Sequence, residues 1–550
     1  MFHQSCVRVF FGMRARSFLM VVVVLFLFEL QAQARIYVIT DTSDTTKVTS
    51  LRGAIIDANR HGGNNTIMLG QQRRRLTYRL TLSGADEDAA RTGDLDITRG
   101  NLTITGTGLS VVIDATGLGD RVFQVSSNAR LTLLNLTIKG GTAAGSEQGG
   151  AIFNSGTLSI QNCSIVGNLS GNGGFSVIGF GLPGADGGGI YNEGFSRLDN
   201  CIISGNTAGA GAGPDNFGLG ANGGNGGGIY NSGSMVLNNC TISANSGGQG
   251  GVGSLPSGWI SIGAPGGPGG DGGCGAGIYN AGEMELNFCT VNGNGGGDGG
   301  DGGNSGGSGG NAGAGGSGAG IFNAGTLSLN TSTISGNFCG IGGTGGSGYF
   351  SSYGGALGGG VGGDGGNGGG VFNAGSLNST SCTVSLNLAG AAGNGGSSVN
   401  ADSGSGGSGG SGGGIVNVAD GASISARNTL IALNSNGVGF GTDLAGDFTS
   451  QGYNLIGVAD GSTGFVNGVN ADQVGSIVSP IDPLIGPLQM NGGFTPTHAL
   501  LWGSPAVDQG NCFGIHRDQR GHHRPHIYPS IPKPLGGDGS DIGAFEMGAH

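Results

Sequence analysis

The sequence predicts an all-β chain wound as a right-handed, single-stranded parallel β-helix with long glycine-rich insertions. Three observations predict this. One phrase, first seen as Gly149-Gly150-Ala151-Ile152-Phe153-Asn154, occurs seven times. The equivalents of Cys163 are Cys201, Cys240, Cys289, Ser332, Cys382 and Thr429, at steps of 38, 39, 49, 43, 50 and 47 residues, and a period in that range marks stacked units. Inside each unit, Leu158 and Ile160 are two apart, as are Cys163 and Ile165. That is strand spacing, with a phase shift at Gln161-Asn162 that reads as a corner. No helical stripe connects successive units, so each repeat is one coil of three short strands.

Stacking places equivalent residues in columns. Ile152, Ile190, Ile229, Ile278, Ile321, Val371 and Ile415 form one core column, and Ile165, Ile203, Ile242, Val291, Ile334, Val384 and Ile431 another. Asn168, Asn206, Asn245, Asn294, Asn337, Asn387 and Asn434 form a corner column whose amides can bond from coil to coil. The cysteine column reads as a small, half-polar core position. Neighbouring Cβ atoms would lie about 4.8 Å apart, outside the range a disulfide prefers. Any bridge elsewhere, such as Cys274 to Cys339, would be incidental.

The candidate binding residues are a fourth column, Phe153, Tyr191, Tyr230, Tyr279, Phe322 and Phe372, ending at Val416. The period of two turns it outward, where aromatics can meet glycan or protein, unless the insertions fold over it.

The chain has 550 residues, 130 of them glycine, 10% charged residues and a formal charge of −12. That balance argues against nucleic acid, whose binders are usually basic. Arg8, Arg14 and Arg16 precede an apolar run from Phe18 to Leu30, and Ala32-Gln33-Ala34 offers a small-x-small site. Residues 1–34 therefore read as a signal peptide cleaved before Arg35. The run is short for a membrane span, and no later stretch is long enough, so an exported protein without a membrane span is expected. Residues 35–94 then form the amino-terminal cap and first coil, 95–442 the β-helix with glycine-rich loops, and 443–550 the last coils and a carboxyl-terminal cap.

Ser50-Leu51-Arg52-Gly53-Ala54-Ile55-Ile56-Asp57-Ala58-Asn59 is the amphipathic helix of the cap, with Leu51, Ile55 and Ala58 on one face. It would cover open strand edges. Thr49-Ser50-Leu51-Arg52-Gly53-Ala54 resembles the Cys-Ser-Leu-Arg-Glu-Ala box of exported bacterial β-helix proteins, with Thr49 and Gly53 departing from it, and residues 84–97 resemble the segment that follows. Gln451-Gly452-Tyr453-Asn454-Leu455-Ile456-Gly457, Gly503-Ser504-Pro505-Ala506-Val507-Asp508, Asp518-Gln519-Arg520-Gly521 and Asp541-Ile542-Gly543-Ala544-Phe545-Glu546 resemble the carboxyl-terminal module of the choice-of-anchor Q family. The middle repeats are similar to those of polymorphic outer membrane proteins.

The resemblance implies a pectin-lyase-like solenoid at the cell surface or outer membrane, or released from it. Family members usually continue into an anchor, and with four residues after Glu546, release or non-covalent retention is the expectation.

The insertions repeat Gly-Gly-x and leave every coil at the same corner, so they project side by side. Extended left-handed helices with three residues per turn are one expectation, mobile loops the other. Asp271, Asp298, Asp301 and Asp364 lie in them and suggest calcium, but the nine-residue calcium pattern is missing, so no cofactor is expected. His516, His522, His523 and His526 lack ligand spacing, and no metal site is assigned. Arg73-Arg74-Arg75 reads as a solvated loop. Arg520, Arg524, Asp508 and Asp541 are expected to pair and close the far end.

Two functions remain open. One is a non-enzymatic exported scaffold binding polysaccharide or a cell-surface protein. The other is a polysaccharide lyase or glycoside hydrolase, since the same fold hosts such enzymes. No catalytic residue is assigned, because between Gly149 and Asn434 the coil strands carry only Arg197, Asp199, Glu283, Glu285 and Arg427 as charged residues.

Overall fold

A computed structural model describes residues 34–549 except 71–74, 85–86, 109, 176–180, 215–217, 256–263, 350–357, 400, 419–420 and 437–441. Residues 1–33 of the expected leader, together with Arg73 and Arg74, lie outside the described residues, whereas Arg75 opens a strand. The chain is a right-handed parallel β-helix. Its three long sheets hold 12, 11 and 12 strands, and each strand pairs with its counterpart one coil away. In the first complete repeat the strands are Ile152–Asn154, Thr157–Gln161 and Ser164–Val166. Register follows the sequence columns: Ile152 pairs with Ile190, Leu158 with Ser196, and Ile165 with Ile203.

The corner after Gln161 requires a left-handed backbone. Asn135, Asn162, Asn200, Asn239 and Asn428 sit there at φ 50–56°, but Phe288, Thr331 and Ser381 hold the same conformation at 57°, 46° and 54°. Asparagine tolerates it readily, and a β-branched threonine does so poorly.

The core is a stack of aliphatic columns and two buried amide ladders. In the expected ladder, Asn168 Nδ2 donates to Asn206 Oδ1 at 2.9 Å, and the chain of bonds continues through Asn434, which donates to Asp443 Oδ1 at 2.8 Å. The second ladder, Asn154 to Asn192, Asn231, Asn280, Asn323, Asn373 and Asn417, runs at 2.7–2.8 Å. Its signal was the Asn that follows every outward aromatic. The column thiols are free and buried. Cys201 N–H donates to Cys240 Sγ and Cys240 N–H to Cys289 Sγ, both at 3.4 Å, so the sulfurs accept backbone bonds between coils.

At the amino end, helix α1 (Leu51–His61) buries Leu51, Ile55 and Ala58 under an N-cap from Ser50. Arg52 is fully buried. It pairs with Asp44 at 2.6 Å and donates to the carbonyls of Ala90, Gly93 and Asp94, tying three segments of the cap together. A Cβ on Gly53 would lie 1.9 Å from Lys47 O, so the departure from Glu at this box position follows from close packing.

The carboxyl-terminal module differs from the expected end cap. It folds back along the third sheet, where Thr495 Oγ1 donates to Phe288 O, His498 Nε2 meets Ser335 Oγ at 2.8 Å, and Ala544 N–H donates to Thr383 Oγ1. Gln519 joins two coils: its Nε2 donates to Cys289 O and Thr290 Oγ1 while its Oε1 accepts from Thr333 Oγ1. The outward residues Thr290, Thr333, Thr383 and Leu430 are therefore buried, whereas Ile202, two coils before Thr290, is 47% exposed. The expected pairings also differ. Arg520 meets Asp518 at 2.7 Å and Arg524 meets Glu546 at 3.3 Å, while Asp508 and Asp541 accept backbone N–H groups within the module.

Candidate functional site

The aromatic column forms a continuous ladder. Ring centroids from Phe153 through Tyr191, Tyr230, Tyr279 and Phe322 to Phe372 are 4.8–5.4 Å apart, with interplanar angles of 2–16°. Each ring points outward between a buried aliphatic residue and a buried Asn, and is itself half-buried. Burial pushes the phenols of Tyr191 and Tyr279 up to about 12. Stacking covers the ring faces, so sugar or side chain would meet ring edges and the tyrosine hydroxyls. Each stacked pair contributes roughly 0.5–1.5 kcal/mol beyond area burial.

The roots of the insertions flank this ladder. Gly149, Gly187, Gly226, Gly275, Gly318, Gly368 and Gly412 all adopt φ of 56–73° and turn the chain back onto the aromatic strands. A Cβ at Gly187 would stand 2.9 Å from Tyr191 Cβ. One residue earlier runs a polar column in which Asn225 N–H donates to Asp186 Oδ1, Cys274 N–H to Asn225 Oδ1, Ser317 N–H to Cys274 Sγ, and Asn367 N–H to Ser317 Oγ. Cys274, outside the cysteine column, finds its role here.

Beyond the roots the insertions form an ordered two-layer slab. Residues 295–305 run outward and 306–318 return, with the same path at 338–349 and 358–368, and at 388–399 and 401–412. Every third N–H crosses between layers: Gly300 to Gly270 O, Gly313 to Gly300 O, Gly343 to Gly313 O, Gly363 to Gly343 O, at 2.8–3.0 Å. The preceding glycine donates to the next coil, as Gly299 does to Ile341 O and Gly342 to Ala391 O. The x residue's own N–H is taken by a side chain one coil earlier, as Ile341 N–H by Asp298 Oδ1, Thr344 N–H by Asp301 Oδ1, Ala314 N–H by Asp271 Oδ1 and Ser408 N–H by Asp364 Oδ1. All three donors of the triplet are thus satisfied, and the period is that of extended three-residue helices. A Cβ at Gly300 or Gly313 would lie 2.0 or 1.9 Å from a neighbouring carbonyl oxygen, which is why glycine fills those positions.

The four calcium-candidate aspartates are therefore spread along the slab as acceptors for backbone. Among the described residues no group of three or more His, Cys, Asp or Glu is gathered as a metal site. His522 meets Ala549 O, His516 lies 3.6 Å from Cys512 Sγ, and His526 packs edge-on to Tyr528. Acidic residues do cluster at Asp94, Asp96 and Asp120 around Arg121, which also bonds Glu147 at 2.7 Å and lies over Phe153. Burial pushes Asp96 up to about 7. Asp96 Oδ2 and Asp120 Oδ2 hold the N–H groups of Ala90 and Asp94, so this cluster fastens the cap to the first coils. No helix among the described residues is long and apolar enough to cross a membrane.

No protein-family model matches the chain, and no curated protein matches it by sequence. Two solved structures resemble it. The crystal structure of pectate lyase Pel9A aligns at 12% identity and a TM-score of 0.35, covering 94% of this chain and 96% of that one. Geobacillus virus E2 ORF18 aligns at 11% identity and a TM-score of 0.26, covering 62% of each chain. At those values neither likeness carries an argument about what this chain does.

Proposed function

We propose that the chain is an exported, non-enzymatic scaffold that presents long repetitive faces for binding polysaccharide or a cell-surface protein. The observation that supports this reading most is the slab. Its outer residues, such as Asp298, Ile341 and Ala391 in one row and Asp301, Thr344 and Asn394 in the next, stand at a repeat fixed by backbone hydrogen bonds. Such a face offers many small, regularly spaced contacts at little entropic cost, because the backbone is already ordered. The aromatic ladder adds ring edges and hydroxyls beside it. The likeness of residues 49–54 and 451–546 to exported surface proteins supports export, with residues 1–34 as the leader.

Two measurements test the proposal. Mass spectrometry of secreted material should find Arg35 as the first residue. Incubation with neutral and acidic polysaccharides and with intact cells should give binding without turnover; unsaturated uronate products would refute the non-enzymatic reading in favour of a lyase.

A further inference from the structure

A cleft of about 860 Å³ opens between the last coil and the carboxyl-terminal module, within the size range of small-ligand sites. Its side chains are dominated by carboxamides: Gln451, Asn467, Asn470, Gln473 and Gln509, with Tyr453 between them. No Lys, Arg or His lines it. Its one carboxylate, Asp472, is 3% exposed and occupied by Ser450 Oγ, Asn454 N–H and Asn454 Nδ2.

The two walls come from distant parts of the chain and are pinned together, Tyr453 Oη donating to Leu535 O at 2.9 Å and Gln473 Nε2 to Pro505 O at 2.7 Å. The floor is held in place by Tyr453 N–H donating to Asn470 O and Gln473 N–H to Asn454 O. Tyr453, Asn470 and Ala471 all adopt left-handed backbone at φ 58°, 55° and 59°. Tyr453 and Ala471 thereby continue the left-handed corner of the earlier coils, in register with Asn428.

The amides have capacity to spare. Gln473 and Gln509 use Nε2 on Pro505 O and Pro532 O, and Asn467 uses Oδ1 on Val474 N–H. Their other amide atoms take no bond among the described residues, nor do the side chains of Gln451 and Asn470. A carboxamide offers a donor and an acceptor together, which matches a hydroxyl or a vicinal diol. A charged saccharide would find no counter-charge in the lining. We propose that this cleft is a binding site for a neutral oligosaccharide, Gln451, Asn470, Gln473 and Gln509 supplying hydrogen bonds and Tyr453 an apolar edge. The proposal deepens the scaffold reading and rests on it.

The test uses the full secreted chain and tetrasaccharides of glucose, mannose and N-acetylglucosamine, with tetragalacturonate as the charged counterpart, read by saturation-transfer NMR and calorimetry. At least one neutral tetrasaccharide should bind and tetragalacturonate should not. The double variant Gln451→Ala/Asn470→Gly, which keeps the left-handed turn, should weaken binding about tenfold or more with its melting temperature unchanged. Arg130→Ala, at an exposed strand position away from the cleft, the ladder and the slab, should leave it unaltered. Neutral-sugar binding that survives the double variant but falls with Thr344→Ala on the slab would overturn this site while sparing the scaffold reading. Absence of binding by all three neutral sugars would overturn the ligand class, and adhesion to whole cells measured alongside would show whether the scaffold reading survives.

Discussion

Replacing Gly300 by alanine should open the slab locally. The added Cβ would stand 2.0 Å from Gly251 O, whereas a relaxed C···O approach is about 3.3 Å. The two helices must therefore separate by roughly 1.3 Å. The bonds that join those two helices, from Gly250 N–H to Asp298 O and from Gly253 N–H to Asp301 O, 2.9 and 2.8 Å long, would stretch beyond hydrogen-bonding range. Two such bonds are worth about 1 kcal/mol each, and overpacking adds about 1–3 kcal/mol. The local cost is thus about 3–5 kcal/mol, on the order of a hundredfold to several thousandfold in opening. Asp301→Ala, at the neighbouring exposed position, removes one acceptor for Thr344 N–H and should cost about 1 kcal/mol or less. Hydrogen-exchange mass spectrometry reads the first in peptides spanning 247–255 and the second in peptides spanning 338–349. Exchange in Gly300→Ala as slow as in the parent chain would refute a close-packed slab.

Four further outcomes follow from the same geometry. Thr331→Gly should stabilise by about 1 kcal/mol in denaturant unfolding, because Thr331 is buried at φ 46° and its Oγ1 has no hydrogen-bond partner among the described residues. Asn245→Ala should cost about 3–5 kcal/mol by the same measurement, since Ile203 O and Asn206 N–H lose their partner inside the core. Gln519→Ala should loosen the carboxyl-terminal module from the coils, seen as faster proteolysis in residues 480–549. The melting temperature should be higher at pH 5 than at pH 8: burial raises Asp186 and Asp443 to about 6, so between about pH 4 and 6 the native state keeps protons that the unfolded chain has released, and that stabilisation is lost as the pH rises through about 6.

The coil was readable because its residues obey one period and one alternation. Ile152, Leu158 and Ile165 repeat at fixed places, and their register admits a single stacking. The outward turn of Phe153 and Tyr191 followed from the same rule. What the rule could not say is what covers them: stacking of ring upon ring needs the coil rise, and the slab needs neighbouring hairpins in register. Gly-Gly-x reads alike in an ordered layer and in a loop. The burial of Arg52 was not legible because its partners, Asp44 and the carbonyls of 90–94, carry no pattern. Thr290 and Thr333 are spelled like Ser164 and Thr241, and only the fold-back of Gln519, 229 positions beyond Thr290, separates buried from open. The amide cleft was invisible for the same reason, since Gln451 and Gln509 meet only after that fold-back.

The late position of this module sets a direction to assembly. Coils up to Cys240 need nothing beyond their immediate successors, so they can close as they emerge from synthesis. Coils from Thr290 to Thr383 wait, with a strip of hydroxyls uncovered, until the last sixty residues arrive. A chain interrupted before Gln519 would carry a finished front half and an unlidded rear, which makes the carboxyl end the checkpoint for completeness.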